Sequence, residues 1–214
     1  MVGVDQPPPV PESLISAWPL EGGHHVRDAL VEAYSDPTRG YHDTQHLAEV
    51  LSRIDELAEN GTLFDRVPVR LAAWFHDAIY DGERDAEERS AVWAEDALAE
   101  LTEPDVVAEA ARLVRLTETH RPEETDANGC ALSDGDLAIL AAPPERYAEY
   151  VVNVRREYSH LADDVFEAGR ADVLRDLLAK PQLFHTAYAL EHWEVAARTN
   201  MEAELAHLPG EAAS

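Results

Sequence analysis

The stretch from Leu71 to Asp81 most constrains how this chain can fold. It reads Leu-Ala-Ala-Trp-Phe-His-Asp-Ala-Ile-Tyr-Asp, an apolar run that ends in the adjacent pair His76-Asp77. The run predicts a buried helix, and an imidazole beside a carboxylate at its end is costly to bury without a partner. A metal ion is an economical partner, because it binds neutral imidazole and ionised carboxylate directly. The pair therefore indicates a metal site, provided that other segments supply further ligands.

Helical periodicity predicts the fold class of the whole chain. Apolar residues recur at intervals of three and four, and no segment alternates as a β-strand would. We expect an all-α bundle of about eight to ten helices of ordinary length. The prolines of residues 1–11 indicate a disordered or extended arm, residues 12–208 a single helical domain, and residues 209–214 a tail.

Two boundaries of this prediction depend on local composition alone. Residues 121–130 are polar and contain a proline and a glycine, so we interpret them as the longest internal loop. A short helix would then begin at Ser133 or Asp134. Near the end of the chain, residues 182–208 are expected to form one continuous helix.

The charge balance restricts the partners of this chain. With 17 basic and 43 acidic residues the net charge is −26, which argues against nucleic acid polymers and anionic membrane surfaces. No apolar run approaches the about 18 residues of a transmembrane helix, and residues 1–11 lack the apolar core of a signal peptide. Cys130 is the only cysteine, so an intramolecular disulfide and a thiolate metal site are excluded. We expect a cytoplasmic protein.

Two further segments offer metal ligands. His42 and His46 are four residues apart, so they share one side of a predicted helix start, and apolar residues follow His46. Asp134 and Asp136 directly precede another apolar stripe; Asp134 is expected to cap that helix and Asp136 to be the ligand. Together with the His-Asp pair, they form a mixed nitrogen and oxygen set. Such a set suits Mn²⁺, Fe²⁺, Co²⁺, Ni²⁺ or Zn²⁺ and does not distinguish among these ions or Mg²⁺.

In these residues the chain resembles the HD-domain superfamily of metal-dependent phosphohydrolases, whose motif is H…HD…D on a helical bundle. His46, His76, Asp77 and Asp136 match the motif in order and in approximate spacing. The resemblance extends to a bacterial branch of predicted hydrolases and spans residues 34–205. It departs at Ala86 and Gly135, where that branch would have Asn and Ala. The matching segments are residues 41–46, 73–81, 87–91, 117–120, 134–140, 155–158 and 169–170.

Five residues around the ligands are candidates for catalysis or substrate binding. By resemblance, Glu87 is a general acid or base, although it could also belong to an exposed acidic face. His120 would contact phosphate or a second metal ion, or it is simply a favourable histidine at a helix C-terminus. Arg39, by its position near the motif, and Arg155, by resemblance, would bind phosphate; the alternative for both is a structural ion pair. His42 would contact the substrate or a ligand, unless it is only a polar residue at a helix start.

The resemblance implies a metal-dependent hydrolase that cleaves a phosphate ester through a metal-activated water. The expected substrate is a small phosphorylated metabolite or a nucleotide, and a homodimer is a candidate assembly. The ligands by themselves indicate only a hydrolytic or redox metal site. One alternative is a di-iron oxygenase, which needs more ligands between Asp77 and Asp136, where His120 is the only histidine. Another is a non-catalytic module that binds a metal ion or a nucleotide.

Overall fold

Helices make up all the regular structure in the computed structural model, which describes residues 12–208. No strand occurs within that range, and the predicted all-α fold is confirmed. The predicted arm and tail, residues 1–11 and 209–214, lie outside the described residues. The elements are α1 (Glu12–Ala17), α2 (His24–Tyr34), α3 (Thr44–Glu59), α4 (Arg66–Phe75), α5 (Ala86–Leu98), α6 (Pro104–Leu116), α7 (Ala127–Leu137), a 3₁₀ helix (Ala138–Ala141), α8 (Pro144–Glu157), α9 (Asp163–Ala179), α10 (Ala187–His192) and α11 (Glu194–His207).

Helix α4 lies at the centre of the bundle. It packs against α3, α5, α6 and α7, and its side chains from Leu71 to Phe75 are fully buried. Surrounding helices explain why this segment is apolar on every side. Pro68 sits in its first turn, where a missing N–H costs nothing. The helix ends at Phe75, and the N–H of His76 still donates to the carbonyl of Ala72 at 2.9 Å. The His-Asp pair therefore leaves the core at a fixed point.

Helix α3 packs beside α4 and carries His46 in its first turn. Asp43 caps it, because its carboxylate accepts hydrogen bonds from the N–H groups of Gln45 at 2.8 Å and His46 at 3.2 Å. The apolar stripe that begins at Leu47 is buried along its length and packs against α4 and α7. The helix ends at Glu59, where Asn60 follows it.

The predicted start of the seventh helix is wrong. Helix α7 begins at Ala127, within the segment interpreted as a loop, and Asp126 caps it by accepting from the N–H of Gly129 at 2.9 Å. A Cβ at Gly129 would lie 2.7 Å from the side chain of Leu116, so this turn packs tightly against the end of α6. Tertiary packing thus stabilises a helical turn that composition alone does not predict.

The single helix predicted over residues 182–208 is also wrong. The chain is irregular up to Thr186, which caps α10, and a break at Trp193 separates α10 from α11. Leu183 and Phe184 are buried there, and their N–H groups donate to the carboxylate of Glu194. Side-chain acceptors therefore replace the hydrogen bonds that a continuous helix would have made. Within the described residues no helix is long and apolar enough to cross a membrane.

Candidate metal centre

Three distant segments bring four polar side chains together. His46 lies in the first turn of α3, His76 and Asp77 directly follow α4, and Asp136 is at the end of α7. Both imidazoles are almost completely buried, with 1% and 2% of their residue surface exposed, while the two carboxylates are slightly more open. Each group sits at the end of a buried helix or in its first turn, so the bundle fixes their relative positions.

The distances between these groups are those expected of ligands that share one ion. The Nε2 atoms of His46 and His76 are 3.1 Å apart. Oδ2 of Asp77 lies 3.0 Å from Nε2 of His76 and 3.3 Å from Nε2 of His46. Oδ1 of Asp136 lies 3.2 Å from His46 and 3.5 Å from His76. Ligand atoms bonded to one ion at about 2.0–2.2 Å are separated by about 2.8–3.6 Å at angles of 90–109°. His46, His76 and Asp77 could therefore hold a metal ion.

The surroundings of the two Nδ1 atoms indicate that each imidazole directs its Nε2 atom at the other candidate ligands. Nδ1 of His76 lies 2.8 Å from the carbonyl oxygen of Ala73, which can only accept, so this nitrogen carries a proton. In neutral His76 the lone pair is then on Nε2. Nδ1 of His46 is buried and has no hydrogen-bond partner among the described residues, so its Nε2 is the atom directed at the other ligands.

Without a metal ion, the four groups would share protons. Burial opposes the charged form of His46, but the carboxylates of Asp136 and Asp77 outweigh it and raise its pKa to about 9. The pKa of His76 is raised in the same way, against burial and chiefly by Asp77. Burial likewise raises the pKa of both carboxyls, yet the facing imidazoles hold them well below their usual range. Metal binding here would therefore release protons.

His120 reaches the cluster from the other side of Asp136. Its Nε2 lies 3.4 Å from Oδ2 of Asp136, and its Nδ1 lies 3.3 Å from Oγ of Ser133. The residue has a left-handed backbone, with φ of 48°, where the chain turns after α6. Burial lowers the pKa of His120, so its imidazole is neutral near pH 7 and can act as a base or as an additional ligand.

His42 lies at the edge of the cluster and is oriented by a residue that was not singled out in the sequence. Its ring is 5.4 Å from that of His46 and stacks on Tyr80 at 4.2 Å. Oε1 of Glu157 lies 2.5 Å from its Nδ1, and Oε2 of Glu157 accepts from the backbone N–H groups of residues 40–42. No local sequence signal identifies Glu157, because its partners are 115–117 residues away.

Arg39 holds the backbone that carries the ligands. It is 6% exposed, and its Nη1 donates to the carbonyl oxygens of His42 at 2.8 Å and Asp77 at 2.7 Å. Its Nη2 donates to Ala78 O at 2.9 Å, and its guanidinium lies over the ring of Tyr34. Carbonyl oxygens thus occupy the hydrogen-bonding edge that phosphate would need. A structural position is favoured, and phosphate binding by Arg39 stays a prediction.

Among the described residues, Arg155 and Glu87 make no hydrogen bond or ion pair with the candidate ligands. Arg155 donates to the carbonyl oxygens of Tyr158 and Leu161 and to the carboxylate of Asp163, and so joins α8 to α9. Glu87 is half-buried in α5 and lines a cavity of about 510 Å³ together with Arg39. The substrate-binding role of Arg155 and the acid–base role of Glu87 remain predictions.

Of the two aspartates in α7, Asp136 and not Asp134 faces the cluster. The prediction that Asp134 caps this helix is wrong, because α7 begins seven residues earlier, at Ala127. Instead its buried carboxylate accepts from the N–H groups of His185 at 2.8 Å and Thr186 at 2.7 Å. Burial raises the pKa of Asp134 to about 6 in spite of these hydrogen bonds.

Two cavities adjoin the cluster. One of about 80 Å³ is lined by His46 and Asp136, and another of about 350 Å³ is lined by His42, Tyr150 and apolar residues of α8 and α9. Tyr41 lines both cavities. The larger cavity reaches the cluster through His42 rather than through the candidate ligands.

Comparison of the chain with protein-family models, with curated proteins and with solved structures finds no match. The chemistry of the site is therefore inferred from its own residues and geometry.

Proposed function

We propose that this chain is a metal-dependent hydrolase that cleaves phosphate esters of small molecules, and that it is a member of the HD-domain superfamily. The observation that supports this most is the convergence of His46, His76, Asp77 and Asp136 at 3.0–3.5 Å, inside a bundle built from otherwise apolar helices. Four such groups would be costly to bury for structural reasons alone. Phosphate, as the group acted upon, is favoured by the order of the ligands, which resembles the H…HD…D motif.

The donor set fits a divalent cation of intermediate hardness, since it combines imidazole nitrogens with carboxylate oxygens. When bound, such an ion would activate a water molecule and polarise a phosphoryl oxygen. Two carboxylates would formally balance the charge of a divalent ion, so neighbouring hydrogen-bond donors would have to offset the charge of the substrate. A local source of positive charge is needed, because the protein as a whole carries −26 and repels anions at long range.

Residues at the edge of the cluster would serve the reaction directly. His120 is neutral near pH 7 and lies beside Asp136, so it can accept a proton from the attacking water. His42 is held by Glu157 through Nδ1, so its Nε2 could accept a proton, or could donate to a phosphoryl oxygen when the ring carries both protons. Both rings are partly exposed, with 20% and 22% of their side-chain surface accessible to solvent.

A second candidate function is favoured by the position of His120. An additional imidazole at 3.4 Å from Asp136 could ligate a second ion that the carboxylate bridges, as in a di-iron oxygenase. This candidate predicts iron in the purified protein and oxygen consumption with a suitable substrate. A phosphohydrolase would require neither iron nor oxygen.

The test combines metal analysis with a panel of phosphomonoesters, phosphodiesters and nucleotides, in the presence of Mn²⁺, Co²⁺, Ni²⁺ and Mg²⁺. The variants are His76→Ala and the nearly isosteric Asp77→Asn, with His25→Ala as the matched control, because His25 is exposed and far from the ligands in sequence. Loss of a residue that hydrogen bonds to a metal ligand typically lowers metal affinity by about 10–100-fold. We expect both ligand variants to lose more than this. Phosphatase activity should fall in parallel, while His25→Ala should match the wild type.

Undiminished metal content and activity in His76→Ala would overturn the proposal. Wild-type protein that binds no metal and hydrolyses nothing in the panel would instead support a non-catalytic module. Circular dichroism of each variant separates loss of ligands from loss of the fold.

A further inference from the structure

The larger of the two cavities beside the cluster, at about 350 Å³, lies between α8 and α9. Its volume is within the range of about 300–1,000 Å³ that is usual for small-molecule sites. Apart from His42, Gly169 and Arg170, the residues that line it are aliphatic or aromatic, and no carboxylate is among the described residues of its lining. In a chain with 43 acidic residues, such a lining suits an uncharged apolar occupant.

Large apolar side chains are exposed to solvent at this cavity. Half or more of the surface of Val165 and of Val173 is exposed, and Tyr158 is exposed beside them. Val165, Gly169 and Val173 follow one another at intervals of four residues, so they share one face of α9. Exposed apolar side chains that are grouped in one place, rather than scattered, are typical of binding sites.

Gly169 leaves the middle of this face open. It lies in the interior of α9, where glycine destabilises a helix relative to alanine. Its φ angle is not positive, and a Cβ there would meet no atom within 4 Å. At Gly135, by contrast, a Cβ would lie 2.9 Å from the side chain of Ile54. Neither backbone conformation nor close packing accounts for Gly169, whereas room for a ligand does.

Two residues connect the cavity to the candidate metal centre. Tyr41 and His42 both line it, and the centres of their rings lie 4.7 Å and 5.4 Å from that of His46. The cavity is therefore one side chain away from a candidate ligand. Its position suits the part of a substrate that is attached to the reacting phosphate.

Most polar groups of the lining already have partners within the protein. The hydroxyl of Tyr150 accepts from Nη1 of Arg170 at 3.0 Å, and Nε and Nη2 of Arg170 donate to Glu204 at 2.7 and 2.9 Å. The hydroxyl of Tyr158 lies 3.2 Å from that of another tyrosine. Only the buried hydroxyl of Tyr41 has no partner among the described residues. A nucleobase or a sugar would bury several donors and acceptors here without partners, whereas an apolar ring would not.

We propose that the cavity between α8 and α9 binds the organic part of the substrate, and that this part is an uncharged apolar group that contains a ring. The inference rests on the proposed function, because it places the phosphate at the candidate metal ligands. It assigns the substrate to phosphate esters of hydrophobic alcohols rather than to nucleotides or sugar phosphates. The aromatic side chains of the lining favour a ring, which they can contact by its edge or its face. Gly169 determines this specificity, because a larger side chain there would enter the space of the ring.

The test measures the binding of two matched pairs of probes. Naphthol and adenosine are uncharged, and they compare an apolar ring with a polar one on the metal-free protein. Naphthylmethylphosphonate and methylphosphonate have no ester bond to hydrolyse, and they compare anions with and without the ring on protein loaded with Mn²⁺. In each pair we expect the wild type to bind the naphthyl probe more tightly than its counterpart, by about tenfold or more.

The variant Gly169→Leu fills the cavity and should leave the fold intact, because its Cβ meets no atom within 4 Å. Gly22→Leu is the matched control, since a Cβ at Gly22 also meets nothing and this residue does not line the cavity. Val173→Asp is a second variant, which places a charge among the exposed apolar residues. We expect Gly169→Leu and Val173→Asp to bind both naphthyl probes about tenfold more weakly and methylphosphonate within about twofold of the wild type. Gly22→Leu should match the wild type for every probe.

The outcomes separate this inference from the proposed function. If the protein takes up Mn²⁺ but Gly169→Leu binds the naphthyl probes as the wild type does, the apolar site is wrong and the metal site stands. If no Mn²⁺ binds but Gly169→Leu still weakens naphthol binding, the apolar site stands and the hydrolase proposal fails. Equal binding of naphthol and adenosine by the wild type would overturn the assignment to hydrophobic alcohols. A wild-type dimer in gel filtration that Gly169→Leu converts to a monomer would indicate that a second copy covers the cavity, and would overturn the inference.

Discussion

Glu157 orients His42 from the far end of α8, with Oε1 at 2.5 Å from Nδ1 across 115 residues of sequence. Its other oxygen accepts from the N–H groups of Gly40, Tyr41 and His42 at 2.9, 2.8 and 3.1 Å. One carboxylate therefore fixes both the backbone and the ring at the entrance to α3. Because only 6% of its side chain is exposed, Glu157 has little contact with water to replace these bonds.

Replacement of Glu157 by Gln should remove a pH-dependent part of the stability. Burial raises the pKa of Glu157, but His42 and the backbone N–H groups outweigh it and lower the pKa to about 2. Since the folded-state value lies below the unfolded one, this contribution is present above about pH 4.5 and is lost as the pH falls toward about 2. We expect Glu157→Gln to lower the free energy of unfolding by about 2–4 kcal/mol at pH 7.

Urea unfolding followed by tryptophan fluorescence between pH 7 and pH 2.5 measures this effect. The gap between wild type and Glu157→Gln should narrow as the pH falls. Glu202→Gln, which changes an exposed acid without a partner, is the control and should follow the wild type throughout. A gap of constant size over that range would contradict the linkage.

Replacement of Arg39 by Lys should weaken the turn that carries the His-Asp pair. A single ammonium cannot reach the three carbonyl oxygens that the guanidinium now satisfies, so at least one becomes an unpaired buried acceptor. We expect a loss of about 2–4 kcal/mol in the unfolding free energy of the metal-free protein, and weaker metal binding. Arg84→Lys, at an exposed and unpaired arginine, should change neither quantity. If Arg39→Lys kept the full unfolding free energy and the full metal affinity, the hydrogen bonds of Arg39 to the three carbonyl oxygens would not be needed.

Replacement of Gly40 by Ala should be destabilising where the same change at Gly22 is not. A Cβ at Gly40 would lie 2.3 Å from the carbonyl oxygen of Asn153 and 2.7 Å from the backbone N of Glu157, whereas nothing lies within 4 Å at Gly22. Because the first two atoms belong to a helix backbone, they cannot easily move. We expect Gly40→Ala to cost about 1–3 kcal/mol or more. Gly22→Ala should be neutral or stabilise by up to about 1 kcal/mol. Thermal unfolding of both variants decides the matter.

Replacement of Asp134 by Ala should loosen the irregular segment that leads into α10. It leaves the N–H groups of His185 and Thr186 buried without an acceptor, at a cost of about 1–3 kcal/mol for each. Hydrogen exchange should become faster at these two amides before it does in α3 and α4. Asp96→Ala, at an exposed residue of α5, serves as the control. Unchanged protection at residues 185 and 186 would mean that other contacts hold this segment.

Much of the fold can be predicted from the sequence because the apolar residues that recur at helical spacing are also the buried ones. Apolar residues follow His46 in the sequence, and in helix α3 they form the buried stripe that begins at Leu47. The proposed ligands stand out for a related reason. His46 begins that stripe and His76 ends another, so each polar residue appears beside apolar ones and the structure brings them together.

The contacts that other residues of the site make escape sequence analysis because they involve backbone atoms. Arg39 donates to carbonyl groups 38 and 39 residues away, and any residue type presents a carbonyl. Glu157 accepts from N–H groups in the same unspecific way. The break in the predicted helix over 182–208 has a similar origin, since the carboxylates that satisfy its backbone come from Asp134 and Glu194. The spacing of apolar side chains does not predict such hydrogen bonds.

The only lysine of the chain, Lys180, directly follows α9 and allows this region to be labelled chemically. Apart from an α-amino group, Lys180 offers the only primary amine of the chain, and its lowered pKa leaves more of it uncharged and nucleophilic at mildly alkaline pH. Cys130, the only thiol, is buried, and its pKa is raised to about 11, so it competes little for such reagents. An acylating dye or a crosslinker would thus mark Lys180 besides the α-amino group, and the rate of its attachment at Lys180 would report on the exposure of that amine.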